Sequence, residues 1–225
     1  MSLIMEQMPI VLHALNIGFL QTLKLFLVTL LGAIPLGLII SLGSMTKFKP
    51  LQLLSRFVVW VVRGTPLMIQ LLIIYYFPGL VLHNPIWGGG EDGRFLAASI
   101  AFIINYACYF SEIYRGGIQG IPIGQDEAGL VLGMTRSQIF FKVKLLQMVK
   151  RIVPPMSNEI ITLVKDTALA RALSVIEIIA IAYEKVNKYA VLTPLLYAGL
   201  FYLAFSGLLT ILFHLLDKKL SYYTV

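Results

Sequence analysis

Ionisable side chains lie inside the apolar stretches of this sequence, where a charge is energetically costly. The positions concerned are Lys24, Arg63, Glu112, Glu159, Lys165, Asp166 and Arg171. A charge at the centre of a membrane-spanning helix costs about 2.5–3.5 kcal/mol on insertion scales, so such residues usually line a path or pair with one another. Lys24 lies near the end of its stretch, where its long side chain can also snorkel to the surface.

A polar face is predicted on the helix that contains Pro154 and Pro155. Its members recur at spacings of one, three or four residues, which places them on one broad side of a helix. They are Asn158, Glu159, Thr162, Lys165 and Asp166. Such a face cannot point at lipid. It either forms structural ion pairs or lines a water-filled cavity, and the residue pattern leaves both interpretations open.

The sequence lacks the residue constellations of the common enzyme classes. It contains no glycine-rich phosphate-binding loop followed by Lys and Ser or Thr, no G-x-S-x-G nucleophile elbow and no H-E-x-x-H pair. Its three histidines, His13, His83 and His214, are far apart, and its one cysteine, Cys108, lies in an apolar run. We therefore expect a chain that is not an enzyme and holds no metal.

Long apolar helices must position these charges. The chain is 58% apolar and 13% charged, with a mean hydropathy of +0.85, whereas soluble domains are about 45–50% apolar and about 25% charged. Five stretches approach the roughly 20 residues that cross a bilayer as helix, at about 18–42, 57–82, 95–114, 152–173 and 192–216. The sequence therefore predicts an all-α polytopic membrane protein with five transmembrane helices. Residues 175–189 have the pattern of an additional amphipathic helix at the outer interface.

Basic residues in the loops assign the two sides of the membrane. The loops after the first, third and fifth stretches are rich in Lys and Arg, whereas those after the second and fourth mix acids and bases. Basic loops face the cytoplasm, which places the N-terminus outside and the C-terminus in the cytoplasm. The same rule accounts for the net charge of +7. Nucleic-acid binding is not expected, because no basic patch is interleaved with aromatic residues.

The longest basic loop carries a compact helical signal at residues 124–138. Its first helix-like stretch ends at Gly133, in the position where glycine commonly closes a helix. Thr135, followed by Gln138 three residues later, forms a capping box that starts another helix. A helix, a tight turn and a second helix make a protrusion able to fit a groove on a partner, although an ordinary structured loop has the same pattern.

Several short motifs follow one another in a fixed order over about residues 15–217. Glu127-Ala128, then Gly133, then residues 143–145 resemble the EAA loop of ATP-binding-cassette (ABC) importer permeases, which is Glu-Ala-Ala, three residues, Gly, nine residues and Ile-x-Leu-Pro. The wider resemblance is to the permeases for polar amino acids, of histidine, glutamine and arginine type. It is carried by Arg63-Gly64-Thr65-Pro66-Leu67 with Gln70, by Tyr109–Gly117, by Pro154-Pro155, and by Asn158-Glu159 through Lys165-Asp166-Thr167.

Three positions depart from the pattern of that family. Gly129 replaces the second Ala of the EAA motif, and Leu146 replaces its Pro. Without that proline the helix is expected to run unbroken toward the fourth span. Arg171 stands where the family usually has a small or apolar residue, which puts the lining of the path at that point in question.

The resemblance implies a type I ABC importer permease (MetI-like) fold, as a single permease domain over 1–225 with an ATPase-coupling loop at about 120–147. The implied partners are a dimer of ATPase subunits, a second permease subunit that is a copy or a relative, and an extracytoplasmic amino-acid-binding protein. ATP and Mg would bind to the ATPase. The chain itself would hold no cofactor, would bind no nucleic acid and would lie in the plasma or inner membrane, surrounded by the lipid bilayer.

The resemblance also gives roles to the polar residues. Arg63 or Lys165 would hold the carboxylate of an amino acid, and the acids would hold its cationic groups. We expect a basic substrate such as arginine. The substrate-binding candidates are Arg63, Thr65, Glu112, Asn158, Glu159, Thr162 and Asp166. The ATPase-coupling candidates are Asp126, Glu127, Ala128, Leu132, Gly133 and Met134.

Two other classes of membrane protein account for part of the pattern. A carrier or channel driven by an ion gradient explains the buried charges equally well, but it does not explain the helix-turn-helix signal at 124–138. A membrane scaffold without transport would not need the polar face that follows Pro155.

Overall fold

The computed structural model describes residues 2–220, with side chains from residue 8 onward, and every element in this part is helical. The helices are α1 (Ser2–Met45), α2 (Lys49–Arg63), α3 (Leu67–Leu80), α4 (Glu91–Gln119), α5 (Gly124–Val131), α6 (Arg136–Ile139), α7 (Leu145–Asp166), α8 (Ile178–Tyr189) and α9 (Thr193–Leu220). A π-helical turn, Phe140–Lys144, joins α6 to α7, and a 3-10 helix, Thr167–Leu173, follows α7. The all-α fold predicted from composition is confirmed.

The predicted spans take three different forms. Within the described residues, three helices are long and apolar enough to cross a membrane, namely Met8–Met45 of α1, α4 and α9. The pair formed by α2 and α3 makes a fourth span if its two halves are taken together. The fourth predicted span corresponds to α7, which is the most polar because it carries Lys150, Arg151, Glu159, Lys165 and Asp166.

The second predicted span, 57–82, is not one straight helix, which corrects the expectation from sequence. α2 and α3 meet at an angle of 107°, with Gly64, Thr65 and Pro66 between them. Pro66 has no N–H to donate and disfavours helical backbone in the residue before it, so the helix breaks there. The apolar run hid this break because its composition stays uniform across it.

Helix α4 is the centre of the packing. Helix α1 crosses it closely at two glycines. A Cβ atom on Gly37 would lie 2.9 Å from the carbonyl oxygen of Ala107, and one on Gly32 would lie 2.7 Å from Cδ1 of Ile103. Small residues at such crossings let helices approach in lipid, where packing rather than the hydrophobic effect holds them together. The contact fixes α4 and therefore the polar residues that it carries.

The fourth predicted span, 152–173, belongs to a longer helical run than expected. Helical structure continues from Arg136 through the π turn to Asp166, as predicted for a chain with Leu146 in place of proline. Pro154 and Pro155 lie inside α7. After Asp166 the helix tightens into the 3-10 segment, so the last part of this span is not α-helical.

The amphipathic helix predicted at 175–189 is found as α8. One side of it packs into the bundle, with Ile178, Ile181 and Ala182 buried. The carboxylate of Glu177 caps its first turn by accepting hydrogen bonds from the backbone N–H groups of Ile179 and Ala180, both at 2.7 Å. The helix is therefore anchored to the spans and does not lie free on the surface.

Three of the charged residues in the apolar stretches, Lys24, Arg63 and Arg171, contact aromatic rings. The Lys24 ammonium lies 4.6 Å from the ring centroid of Phe95, and the Arg171 guanidinium lies 3.8 Å from that of Tyr183. Both distances are within the range of cation–π attraction. Arg171, which departs from the family pattern, thus packs against α8.

Candidate functional site

A cavity of about 480 Å³ lies where α2, α4 and α7 meet. Its lining residues are Arg63, Tyr109, Glu112, Ile113, Gly116, Gly117, Arg151, Pro155 and Glu159. The last turn of α2 supplies Arg63, α4 supplies Glu112 and α7 supplies Glu159. Three residues that the sequence suggested as substrate ligands are therefore brought together, although they come from separate helices. The volume is in the range of small-molecule sites, about 300–1,000 Å³.

Two arginines neutralise Glu112. Arg115, one turn further along α4, forms a bidentate pair in which Nε donates to Oε1 at 3.0 Å and Nη2 donates to Oε2. Nη1 of Arg63 lies 3.8 Å from Oε2, and its guanidinium lies 5.1 Å from the ring centroid of Tyr109. Bidentate pairing fixes a carboxylate in one orientation. Glu112 is thereby held in place, and Arg63 keeps N–H groups that can turn toward a ligand.

A second cavity, of about 520 Å³, adjoins the first. Its lining residues are Arg56, Val59, Trp60, Arg63, Gly64, Glu112 and Arg115. The two cavities share Arg63 and Glu112, so this ion pair lies on the boundary between them. Trp60 is 71% exposed although it lines the second cavity, which means that this chain alone does not close that wall.

Helix α7 contributes two carboxylates, those of Glu159 and Asp166. Glu159 lines the first cavity and is half-buried. Asp166, two turns later, accepts a hydrogen bond from the hydroxyl of Tyr106 at 2.7 Å. Among the described residues, the ion pairs found involve other acids, so neither carboxylate has a basic partner within 4.0 Å. Glu159 therefore fits the cavity interpretation of the polar face, whereas Asp166 is bonded to Tyr106 and lines neither of the two cavities.

The other candidates from the sequence lie outside the two cavities. Asn158 and Lys165 are exposed on α7, and Thr162 is half-buried there. The hydroxyl of Thr65 donates to the carbonyl oxygen of Val61 at 2.9 Å, so it helps to close the end of α2.

Sequence reasoning missed four residues of this site. Tyr109, Arg115 and Arg151 line the cavities, and Tyr106 holds Asp166. A signal was available for Arg115, since an acid and a base three residues apart face each other on a helix. The other three become visible only once α2, α4 and α7 are assembled.

The helix-turn-helix predicted at 124–138 is present. Gly133 has a φ of +73°, the left-handed conformation that glycine adopts without strain. The Met134 N–H donates to the carbonyl oxygen of Gly129 at 3.0 Å, and the Gly133 N–H donates to that of Leu130 at 2.9 Å. This pair of bonds is the Schellman motif that closes a helix, and it ends α5 as the sequence predicted.

The capping box that starts the next helix is also confirmed. The backbone N–H of Thr135 donates to the side chain of Gln138 at 2.8 Å, and the reciprocal bond is 3.3 Å long. The turn brings α6 against α5, where a Cβ atom on Gly129 would lie only 2.5 Å from Cγ1 of Ile139. The glycine that replaces the family's alanine therefore makes room for a buried isoleucine.

Large apolar side chains form the tip of this protrusion. Ile123 is 76% exposed, Val131 87% and Leu132 78%, and Glu127 and Ala128 are exposed beside them. Large exposed apolar side chains on a protrusion often mark an interaction surface.

Two of the predicted coupling residues, Asp126 and Met134, are only partly exposed. Asp126 pairs with Lys144 of the π turn, with 2.8 Å between Nζ and Oδ2. Met134 is half-buried. These two therefore brace the protrusion, whereas its exposed tip is free for a partner.

A bundle of spanning helices, a charged cavity among them and an apolar-tipped protrusion define a multi-spanning membrane protein of the transport class. Residues 33–222 match the family model described as "Binding-protein-dependent transport system inner membrane component". The chain belongs to this family. It is accordingly a multi-pass inner-membrane component of a transport system and not an enzyme.

Two curated relatives align over nearly the full chain. The arginine transport system permease protein ArtQ of Bacillus subtilis (strain 168) is 34% identical over 222 residues, which cover 98% of this chain and 96% of the relative. The L-cystine transport system permease protein TcyB of the same organism is 36% identical over 210 residues, covering 92% and 86%.

Solved structures place the fold in the same group. A chain from the crystal structure of an amino acid ABC transporter with histidines superposes with a TM-score of 0.84 at 29% identity, covering 95% of this chain and 97% of that one. A chain of the inward-facing MetNI methionine ABC transporter superposes with a TM-score of 0.66 at 17% identity, covering 96% and 98%. The MetI-like fold expected from the sequence is confirmed.

Proposed function

We propose that this chain is the permease subunit of an ABC importer for polar amino acids and that it prefers basic ones. The observation that carries the proposal is that Arg63 and Glu159 line one cavity between α2, α4 and α7. A guanidinium and a carboxylate that face one space suit a zwitterion, because each can form a charge-assisted hydrogen bond with the opposite end of the molecule. The relatives named for arginine and cystine transport support the same substrate class.

The preference for a basic substrate rests on which carboxylates are already paired with a basic side chain of the protein. Glu112 is paired with Arg63 and Arg115, whereas Glu159 and Asp166 have no ion-pair partner among the described residues. A basic amino acid brings two cationic groups, an ammonium and a side-chain cation. Two available carboxylates on one helix match that number.

The candidate residues then divide into three roles. Arg63 holds the carboxylate of the substrate, with Glu112 orienting its guanidinium. Glu159 holds the ammonium, and Asp166, kept in place by Tyr106, receives the side-chain cation deeper in the bundle. Thr65, Asn158 and Thr162 lie outside the two cavities, and in this proposal they form neutral hydrogen bonds with the substrate elsewhere along its path.

The protrusion at residues 120–147 is the proposed coupling element. Its exposed tip of Ile123, Val131 and Leu132 would enter a groove on an ATPase subunit, with Glu127 at the edge of the contact. Two ATPase subunits would bind the ATP and Mg, and this chain would bind neither. Closure of the ATPase dimer would then move the spans as rigid bodies through the docked element.

The complete transporter contains a second permease subunit in this proposal. The open wall of the second cavity, where Trp60 remains 71% exposed, supports a partner that closes it. The basic loops and the C-terminus lie in the cytoplasm, and the N-terminus lies outside. An extracytoplasmic binding protein would deliver the amino acid to that outer side.

The test is direct amino-acid binding by the full chain, assembled with its ATPase subunits in lipid nanodiscs. Glu159→Gln and Asp166→Asn should each lower the affinity for L-arginine about tenfold or more, since each removes a charge-assisted hydrogen bond. Asp166→Asn should spare L-glutamine, which has no side-chain cation. The matched control is Glu184→Gln, which removes an exposed acid paired only with Lys185. An unchanged affinity for L-arginine in both cavity variants would remove these residues from the site.

A further inference from the structure

Gln70 bridges the break between α2 and α3. Its side-chain nitrogen donates to the carbonyl oxygen of Val62 at 2.7 Å and lies 2.8 Å from the hydroxyl and 3.1 Å from the carbonyl oxygen of Thr65. In an unbroken helix the residue four positions after Val62 would donate to that carbonyl. That residue is Pro66, which has no N–H. Gln70 therefore supplies the hydrogen bond that the proline cannot give.

Asn105 ties this bridge to α4. Its side-chain nitrogen donates to the side-chain oxygen of Gln70 at 3.0 Å, and Asn105 itself is only 5% exposed. Polar side chains are costly inside a membrane protein unless their hydrogen bonds are satisfied. The Gln70–Asn105 bond, with the bonds that Gln70 makes to α2 and Thr65, joins three helices, α2, α3 and α4.

The same face of α4 also holds Arg63. Asn105, Tyr109 and Glu112 are spaced four and three residues apart, so they lie on one side of the helix. Tyr109 and Glu112 contact the guanidinium of Arg63, which ends α2 just before the break. The segment around the α2–α3 break therefore contacts α4 at three successive positions, Asn105, Tyr109 and Glu112. Arg63 lies along that face of α4 and lines the cavity.

We propose that Gln70 and Asn105 are positioning residues, which hold the α2–α3 break on α4 and so aim Arg63 at the carboxylate of the substrate. The proposal rests on the role given to Arg63 in the proposed function. Neither amide needs to touch the amino acid. Both act by keeping the guanidinium of Arg63 where Tyr109 and Glu112 place it.

One experiment measures the bend without any substrate. Spin labels are attached to cysteines at Leu51 and Leu80, which are 45% and 72% exposed at the far ends of α2 and α3. The buried Cys108 is replaced by serine, and the full chain is studied in lipid nanodiscs. Gln70→Leu and Asn105→Leu should broaden or shift the distance distribution, whereas the control Gln52→Leu, whose side-chain hydrogen bond among the described residues is with Lys49, should not. An unchanged distribution in both variants would overturn the proposal.

A second experiment measures binding of L-arginine and of agmatine, the same molecule without its carboxylate. Gln70→Leu should weaken L-arginine about tenfold and leave agmatine within about twofold, because only the carboxylate contact depends on the position of Arg63. In an Arg63→Gln background Gln70→Leu should add nothing further, since the group that it positions is gone. A general structural defect would instead weaken both ligands in both backgrounds, and that result would also overturn the proposal.

The two experiments separate this inference from the proposed function. If Arg63→Gln leaves L-arginine binding unchanged, the role of Arg63 in the proposed function is wrong. The positioning role of Gln70 and Asn105 is then wrong as well, whatever distances the spin labels give. If Arg63→Gln weakens binding while Gln70→Leu and Asn105→Leu do not, the proposed function stands and the positioning role is wrong.

Discussion

Glu177 is a carboxylate with no exposed surface at the start of α8. It caps that helix through Ile179 and Ala180 and also accepts a hydrogen bond from the hydroxyl of Tyr202 at 3.3 Å. Burial raises the pKa of Glu177 from its ordinary value of 4.5 to about 7, although these hydrogen bonds and the nearby Arg171 favour the charged form. Removal from water, which disfavours the charged form of a buried carboxyl, is the largest contribution here and outweighs the local contacts.

The raised pKa predicts how stability changes with pH. The folded chain holds the proton on Glu177 more tightly than the unfolded chain, so the contribution is complete below pH 4.5 and is lost as the pH rises to about 7. The thermal midpoint of the purified chain should fall over this window, and Glu177→Gln should flatten that fall. Glu184→Gln, at an exposed acid, should keep the slope of the parent. A parent-like slope in Glu177→Gln would show that Glu177 is not its source.

For single residues, the residue type predicted which side chains lie at the cavity better than it predicted which side chains pair with each other. Charges in apolar stretches pointed to Arg63, Glu112 and Glu159, and the structure brings these three to one cavity. The pairing of Glu112 with Arg115 and the burial of Glu177 depend on side-chain orientation within the assembled bundle. Sequence position alone assigned Glu177 to a mixed-charge loop, which gave no indication that it is buried.

Whether a structural element could be predicted depended on whether the residues that determine it are close together in the sequence. The protrusion was predictable because its glycine turn and capping box lie within a few residues of each other, and both are present as predicted. The α2–α3 break was missed although Pro66 was visible, because an apolar run of spanning length normally continues as helix. What stabilises the bend is the Gln70–Asn105 bond between residues 35 positions apart, which no local pattern contains.

Gly133 gives a prediction at the level of the protrusion. Alanine in the left-handed conformation costs about 1–2 kcal/mol, and no other group lies within 4 Å of the site, so Gly133→Ala should strain the turn without a clash. Exchange of the amide hydrogens at residues 133 and 134 should accelerate roughly 5- to 30-fold. Gly124→Ala is the control, because Gly124 also has open space but no positive φ. Equal exchange in both variants would mean that the turn does not depend on glycine.

In the whole molecule, one helical run joins the polar cavity to the protrusion at residues 124–138. Helical structure is continuous from Arg136 through the π-helical turn to Asp166, so one helical run connects the protrusion with Glu159 and Asp166. The ion pair between Asp126 and Lys144 fixes the protrusion to that run. In the proposed function, this continuity would carry ATP-driven motion from the protrusion to the proposed substrate ligands.

Uptake of labelled L-arginine into proteoliposomes tests the account most directly. The vesicles contain this chain with its ATPase subunits, and the binding protein is supplied on the other side. We predict that uptake requires ATP on the ATPase side and falls about tenfold or more in Glu127→Arg, which reverses a charge at the docking edge on an exposed residue. Uptake that continues at the parent rate with the ATPase omitted, driven by an ion gradient alone, would contradict the account and identify a secondary carrier.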